Sequence, residues 1–147
     1  MPWFRTDRNR VADELEKLYG EYLRLGAQLE AHGEIVPYAH VGERLAAIRT
    51  TEEKNAGQLA QRLAELGRHP SPNGAGTLHG GRNSWERLVA TLEDYRALLR
   101  QLGHLGARWD DDSPDDAALV GRLRDTALQH REILIDLVAR SDPHALD

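Results

Sequence analysis

The chain has 147 residues, 40% of them hydrophobic and 29% charged, a formal net charge of −5 and no cysteine. That length supports one domain with a real core, and the negative charge argues against a nucleic-acid partner. The missing cysteines exclude disulfides, thiolate ligands and thiol nucleophiles, and no apolar run is long enough for a transmembrane helix. The opening MPWFRTDRNR lacks the apolar centre of a signal peptide, so a cytoplasmic location is expected. Nearly all basic residues are Arg, with only Lys17 and Lys54 as lysines, as in proteins of GC-rich bacterial genomes or heat-tolerant ones.

Residues 1–6 read as a loose or docked tail whose Trp3 and Phe4 either cover an end of the core or meet a second subunit. A first helix is expected from about Asp7 to His32, with Val11, Leu15, Leu18, Tyr22, Leu25 and Leu29 as its apolar stripe. Glu14, Glu21 and Gln28 lie beside that stripe, seven apart, and Glu21 leans inward between Leu18 and Leu25. Gly33 suits the residue after the helix, and Pro37 the first turn of the next.

The second helix, from about Pro37 to Leu66, carries the most informative stripe: Leu45, Ile48, Glu52, Asn55, Leu59, Leu63 and Leu66. Two of its members are polar and one is a carboxylate. A buried charge costs several kcal/mol unless it is paired, hydrogen-bonded or on a metal, so this helix points something polar at its neighbours. Gly67 and then Pro70 end it. Helices of this length with a short link between them run antiparallel.

Residues 68–83, RHPSPNGAGTLHGGRN, form a loop without a phosphate-binding signature, since no strand precedes the glycines and no Lys-Ser/Thr follows. Sixteen extended residues reach about 50 Å, enough to cross the whole bundle and leave helices two and three parallel. The third helix spans about 84–108, with Asn83 and Glu86 at capping-box spacing and Leu88, Leu92, Tyr95, Leu99 and Leu102 as its stripe. Glu93 sits at the stripe's edge, flanked by Arg96 and Arg100. DDDSPDD at 110–116 lacks the Gly and Glu of a calcium loop; Ser113 as N-cap, Pro114 and two aspartates read instead as a helix start. The fourth helix runs from about Asp115 to Arg140 along Leu119, Leu123, Ala127, His130, Leu134 and Leu137, and His130 is the one clear polar interruption.

Four long helices joined short, long, short, with inward carboxylates, make an all-α four-helix bundle with a central crossover. The chain resembles the ferritin-like superfamily, in the region of rubrerythrin-like and bacterioferritin-like bundles, best over NAGQLAQRLAELGRHP. Di-metal proteins of that fold place a Glu on each of two helices and a Glu-x-x-His pair on each of the others. The resemblance puts Glu21, Glu52, Glu93 and His130 at ligand positions. It also shows two departures: Asn55 stands where a His is expected, and Ala127 where a Glu is expected. Ala127 has no ligating atom, and Asn55 offers at most a weak carbonyl oxygen, so a redox-active di-iron pair is not expected.

Two readings of Glu21, Glu52, Glu93 and His130 stay open: a metal-free network in which His130 donates to a carboxylate, or a site for one iron, manganese or zinc ion. No His-x-x-x-His pair is present, and no Ser-His-Asp arrangement can be argued from one helical sequence. The leading functional expectation is a non-catalytic, homodimeric binding or interaction module, tied to stress physiology. The alternative is a metal-handling oxidase or peroxide-related protein. A plain bundle of another topology, with Glu52 paired to an arginine, is the third possibility.

Overall fold

The computed structural model describes residues 2–72 and 76–147, with side chains from residue 7 onward. Among the described residues four helices make up the fold: α1 Pro2–Ile35, α2 Ala39–Glu65, α3 Ser84–Trp109 and α4 Pro114–Ala139. Helix α1 begins earlier and ends later than its leucine stripe implies. Residues 2–6 continue the helix, and Gly33 lies within its last turns. The expectation for Trp3 and Phe4 falls on side chains outside the described residues.

Pro37 does not open α2. The N-cap is Tyr38, in an extended conformation, so the proline sits one residue before the cap and the helix starts at Ala39. The far end closes as expected. Gly67 has φ +80°, its N–H donates to the Ala64 carbonyl, and the Arg68 N–H reaches back to Leu63 at 2.8 Å. These two bonds form a Schellman motif, which needs a residue free to adopt positive φ at Gly67. Asn83 caps α3 by accepting from the Glu86 N–H at 2.8 Å. The return arm of the capping box lands one residue early, with Glu86 accepting from the Arg82 N–H.

The leucine stripes meet in one core. Leu15, Leu18, Leu25, Leu45, Ile48, Leu59, Leu63, Leu88, Leu98 and Leu134 are buried almost completely. On α3 the buried residue is Leu98, and Leu99 is only partly covered. The step from Tyr95 is therefore three rather than four, within the drift of a 3.6-residue period.

Side-chain bonds fix the directions of the helices. Gln28, late in α1, meets Thr91, early in α3, at 2.9 Å. Arg62, late in α2, meets Asp116, early in α4. Arg68, just past α2, binds Asp13 and Glu16 near the start of α1. Each of these pairs is antiparallel, so α2 and α3 run parallel, and the crossover travels from one end of the bundle to the other. By its far end His79 has reached Gln28 and Asp94.

Candidate functional site: the buried Glu52 layer

Glu52 lies mid-way along α2 and is 1% exposed. Its Oε2 accepts from the Tyr95 hydroxyl of α3 at 2.6 Å, and its Oε1 accepts from the Asn55 side-chain amide at 2.8 Å. Asn55 must present its N–H₂ here, because its carbonyl oxygen would face the carboxylate with like partial charge. The same amide nitrogen lies 3.4 Å from the Thr126 hydroxyl of α4. Tyr95 of α3 and Asn55 of α2 thus converge on the Glu52 carboxylate, and Asn55 links it onward to Thr126 of α4.

His130 completes the layer from α4. Its ring stands edge-on to Tyr95, at a centroid distance of 5.7 Å and an interplanar angle of 89°. Its Nδ1 lies 3.6 Å from Glu52 Oε1, beyond hydrogen-bond range, and is buried without a partner among the described residues. The hydroxyl of Tyr22, contributed by α1, is buried and unpartnered as well. Burial, and after it the charge of Glu52, pushes both tyrosine phenols well above their usual range. Both therefore stay protonated and can act only as neutral donors or acceptors. Ala127, where the resemblance implies a Glu, is buried one turn before His130 and has no ligating atom.

The other two candidate carboxylates point elsewhere. Glu93 is exposed and pairs with Arg96 on its own helix, the arginine partner its flanking residues suggest. Glu21 is half-buried and is engaged by Arg24. Among the described residues, no group of three or more His, Asp and Glu side chains is placed to hold a metal ion. Glu52 and His130 are the two candidates the fold brings together, and among the described residues no arginine pairs with Glu52.

Arg24 organises a second polar cluster that the sequence reading missed. It is 7% exposed, donates to Gln28 Oε1 at 2.8 Å and lies 3.3 Å from Asp94 Oδ2 of α3. Burial works against its charge, but the hydrogen bonds and charges of Glu21 and Asp94 outweigh this and hold its pKa above the ordinary value. Gln28 passes its amide to Thr91 and Asp94, and its oxygen also accepts the backbone N–H of His79. His79 in turn meets Asp94 at 2.8 Å. The cluster ties the crossover to α1 and α3. Glu21, Arg24 and Gln28 at spacings of three and four already shared a helix face in the sequence; the missing signal was Asp94, 70 residues away. Asp116 is a similar case. It stands at the helix start as expected, but it is buried and held by both Nε and Nη2 of Arg62.

At the same end of the bundle as His79, the buried imidazole of His32 meets the Ser84 hydroxyl at 3.1 Å. Burial, aided by Arg87 and opposed by Asp147, lowers its pKa from 6.5 to about 4. Between those pH values the unfolded chain binds a proton at His32 that the folded chain does not. Its contribution to stability is therefore complete above pH 6.5 and lost as the pH falls toward about 4. His32→Gln is expected to flatten the fall of the urea midpoint across that window. An unchanged slope would assign the acid loss to other groups.

The sequence matches no protein-family model and no curated protein. The structure is similar to a dodecameric thioferritin, the bacterioferritin-related protein from Bacteroides fragilis. The TM-score is 0.81 at 14% identity, over 90% of this chain and 86% of that one. It is likewise similar to a bacterioferritin of Mycobacterium tuberculosis, with a TM-score of 0.82 at 17% identity over 88% of this chain and 84% of that one. At such identities the likeness is one of fold, and that fold is the ferritin-like four-helix bundle.

Proposed function

We propose that this chain, with its ferritin-like fold, is a non-catalytic binding module whose central layer works as a metal-free hydrogen-bonded cluster. The observation that carries this reading is the donor set around Glu52. Both carboxylate oxygens accept from protein O–H or N–H groups, at 2.6 and 2.8 Å. A metal ligand must offer lone pairs, whereas Tyr95 and Asn55 offer hydrogens to that carboxylate. Ala127 adds no ligating atom, and Glu21 and Glu93 have arginine partners. The residues present do not fit a di-metal centre. In this reading the layer holds α2, α3 and α4 in register, as buried polar groups do in other helical assemblies.

The chain is proposed to act in the cytoplasm as a homodimer. Support for self-association comes from the dodecameric assembly of the Bacteroides fragilis neighbour. Light scattering on purified protein tests it: a mass of two chains supports the dimer, and one chain or twelve contradicts it.

A second reading has one observation in its favour. The unpartnered Nδ1 of His130, 3.6 Å from Glu52, leaves a lone pair and a carboxylate oxygen on either side of a small gap. One iron, manganese or zinc ion would take those two groups, and the protein would then handle metal. Thermal melts separate the readings, because a ligand that binds only the folded state raises the melting temperature. The metal-free reading predicts coincident melts with chelator and with added Fe(II), Mn(II) or Zn(II). A rise of several degrees with one of these ions, abolished by His130→Ala, would overturn it.

A further inference from the structure

We propose that the cavity beneath the end of the crossover is a binding site for a small organic carboxylate with an apolar body. The cavity has a volume of about 200 Å³ and lies between the C-terminal half of α1, the first turns of α3 and residues 78–81. It shares no residue with the Glu52 layer, so failure of this inference would leave the reading of that layer standing.

Three features give the ligand its chemistry. The first is an apolar mouth. Ile35 and Leu78 line the cavity and are 56% and 41% exposed, two of the few large hydrophobic side chains left open to solvent among the described residues. The second is a cation. Arg87 lines the cavity and makes no hydrogen bond or ion pair to an Asp or Glu side chain among the described residues, although Asp147 and Glu86 lie close enough for their charges to act on it. One of its five N–H groups donates to the main-chain oxygen of Asp147 at 3.3 Å, so a ligand carboxylate would share the guanidinium with that residue. The third is a neutral polar wall. His32 is 4% exposed, bonds Ser84 through Nε2, and makes no hydrogen bond through Nδ1 among the described residues. Its depressed pKa keeps the ring uncharged at neutral pH, so it adds a hydrogen-bonding group without a second charge.

The polar groups behind it, Gln28 and Thr91, are bonded to each other. They offer little to a ligand rich in hydroxyls. An aliphatic or aromatic monocarboxylate fits this arrangement: its chain lies against Ile35 and Leu78 and its carboxylate forks onto Arg87. The volume limits the ligand to a few carbons, below the usual range for drug-sized pockets.

Hexanoate is the probe, and hexan-1-ol is its neutral counterpart. Amide chemical shifts are followed on the full chain during titration of each. The expected result is saturable shifts confined to residues near 28–35 and 78–91. Ala31 also lines the cavity but is exposed on α1, so Ala31→Phe fills the mouth without touching the core. This variant should abolish binding of both probes. Arg87→Met should weaken hexanoate by about tenfold or more, the worth of one charged hydrogen bond, and leave hexan-1-ol unchanged. Melting curves test whether each variant folds, and a variant that does not is replaced by Ile35→Glu at the exposed rim. The proposal is overturned if hexanoate gives no saturable shift at these residues, or if it binds Ala31→Phe as it binds the parent. It is overturned as well if the two probes respond alike to Arg87→Met.

Discussion

Tyr95→Phe is expected to lower the stability of the bundle by about 2 kcal/mol, the cost of leaving a buried charged group short of one hydrogen bond. The change removes one oxygen and no carbon, so cavity and packing effects are small beside it. Tyr95 is fully buried, and its hydroxyl is one of two donors satisfying Glu52. A double-mutant cycle isolates that role. Glu52→Leu removes the carboxylate while roughly keeping its volume, a replacement that buried ionic groups often tolerate. In that background the Tyr95→Phe step should cost less than half of what it costs in the parent. Equal losses in both backgrounds, measured by urea denaturation at neutral pH, would show that the hydroxyl does not act through Glu52.

The second large effect lies at the crossover. Arg24→Met keeps an aliphatic stem of similar length and deletes the guanidinium that bridges α1, α3 and the loop. The expected loss is about 3 kcal/mol, because breaking a buried pair strands the remaining charge. Here that charge is Asp94, whose side chain is 11% exposed. His79 and Gln28 still reach Asp94, so the loss stays below the cost of a bare buried ion. Arg24→Lys restores a charge but not the planar fork, and it should recover only part of the loss. Amide exchange gives a local readout: residues 76–81 and the first turns of α3 should lose protection before the α2–α4 half does. A loss under about 0.5 kcal/mol, typical of a solvated surface pair, would contradict the burial assigned to this cluster.

The sequence made the helical skeleton legible because that skeleton follows from local spacing. Leucines three and four apart mark buried faces, Gly67 marks an end by its backbone freedom, and a sixteen-residue loop is long enough to cross the bundle. Glu52, Asn55 and His130 were legible as a polar layer for the same reason: they interrupt apolar stripes. What spacing does not reveal is which distant group a polar residue meets. Arg24 and Asp116 resemble ordinary surface charges until Asp94 and Arg62, on other helices, are brought to them. Glu21 leaned inward on helical geometry, yet Arg24 one turn along engages it. Pro37 was misplaced because proline suits both the first helical turn and the approach to it, and only the observed cap at Tyr38 separates the two.

The central claim is that Glu52 is held by protein hydrogen bonds and not by a metal ion. Elemental analysis of protein purified without chelator, beside Glu52→Ala, tests it most directly. The account predicts far less than one equivalent of any transition metal per chain in both proteins, including after incubation with iron, manganese or zinc and dialysis. Close to one ion per chain in the parent, lost in Glu52→Ala, would contradict it and make the gap between Glu52 and His130 a metal site.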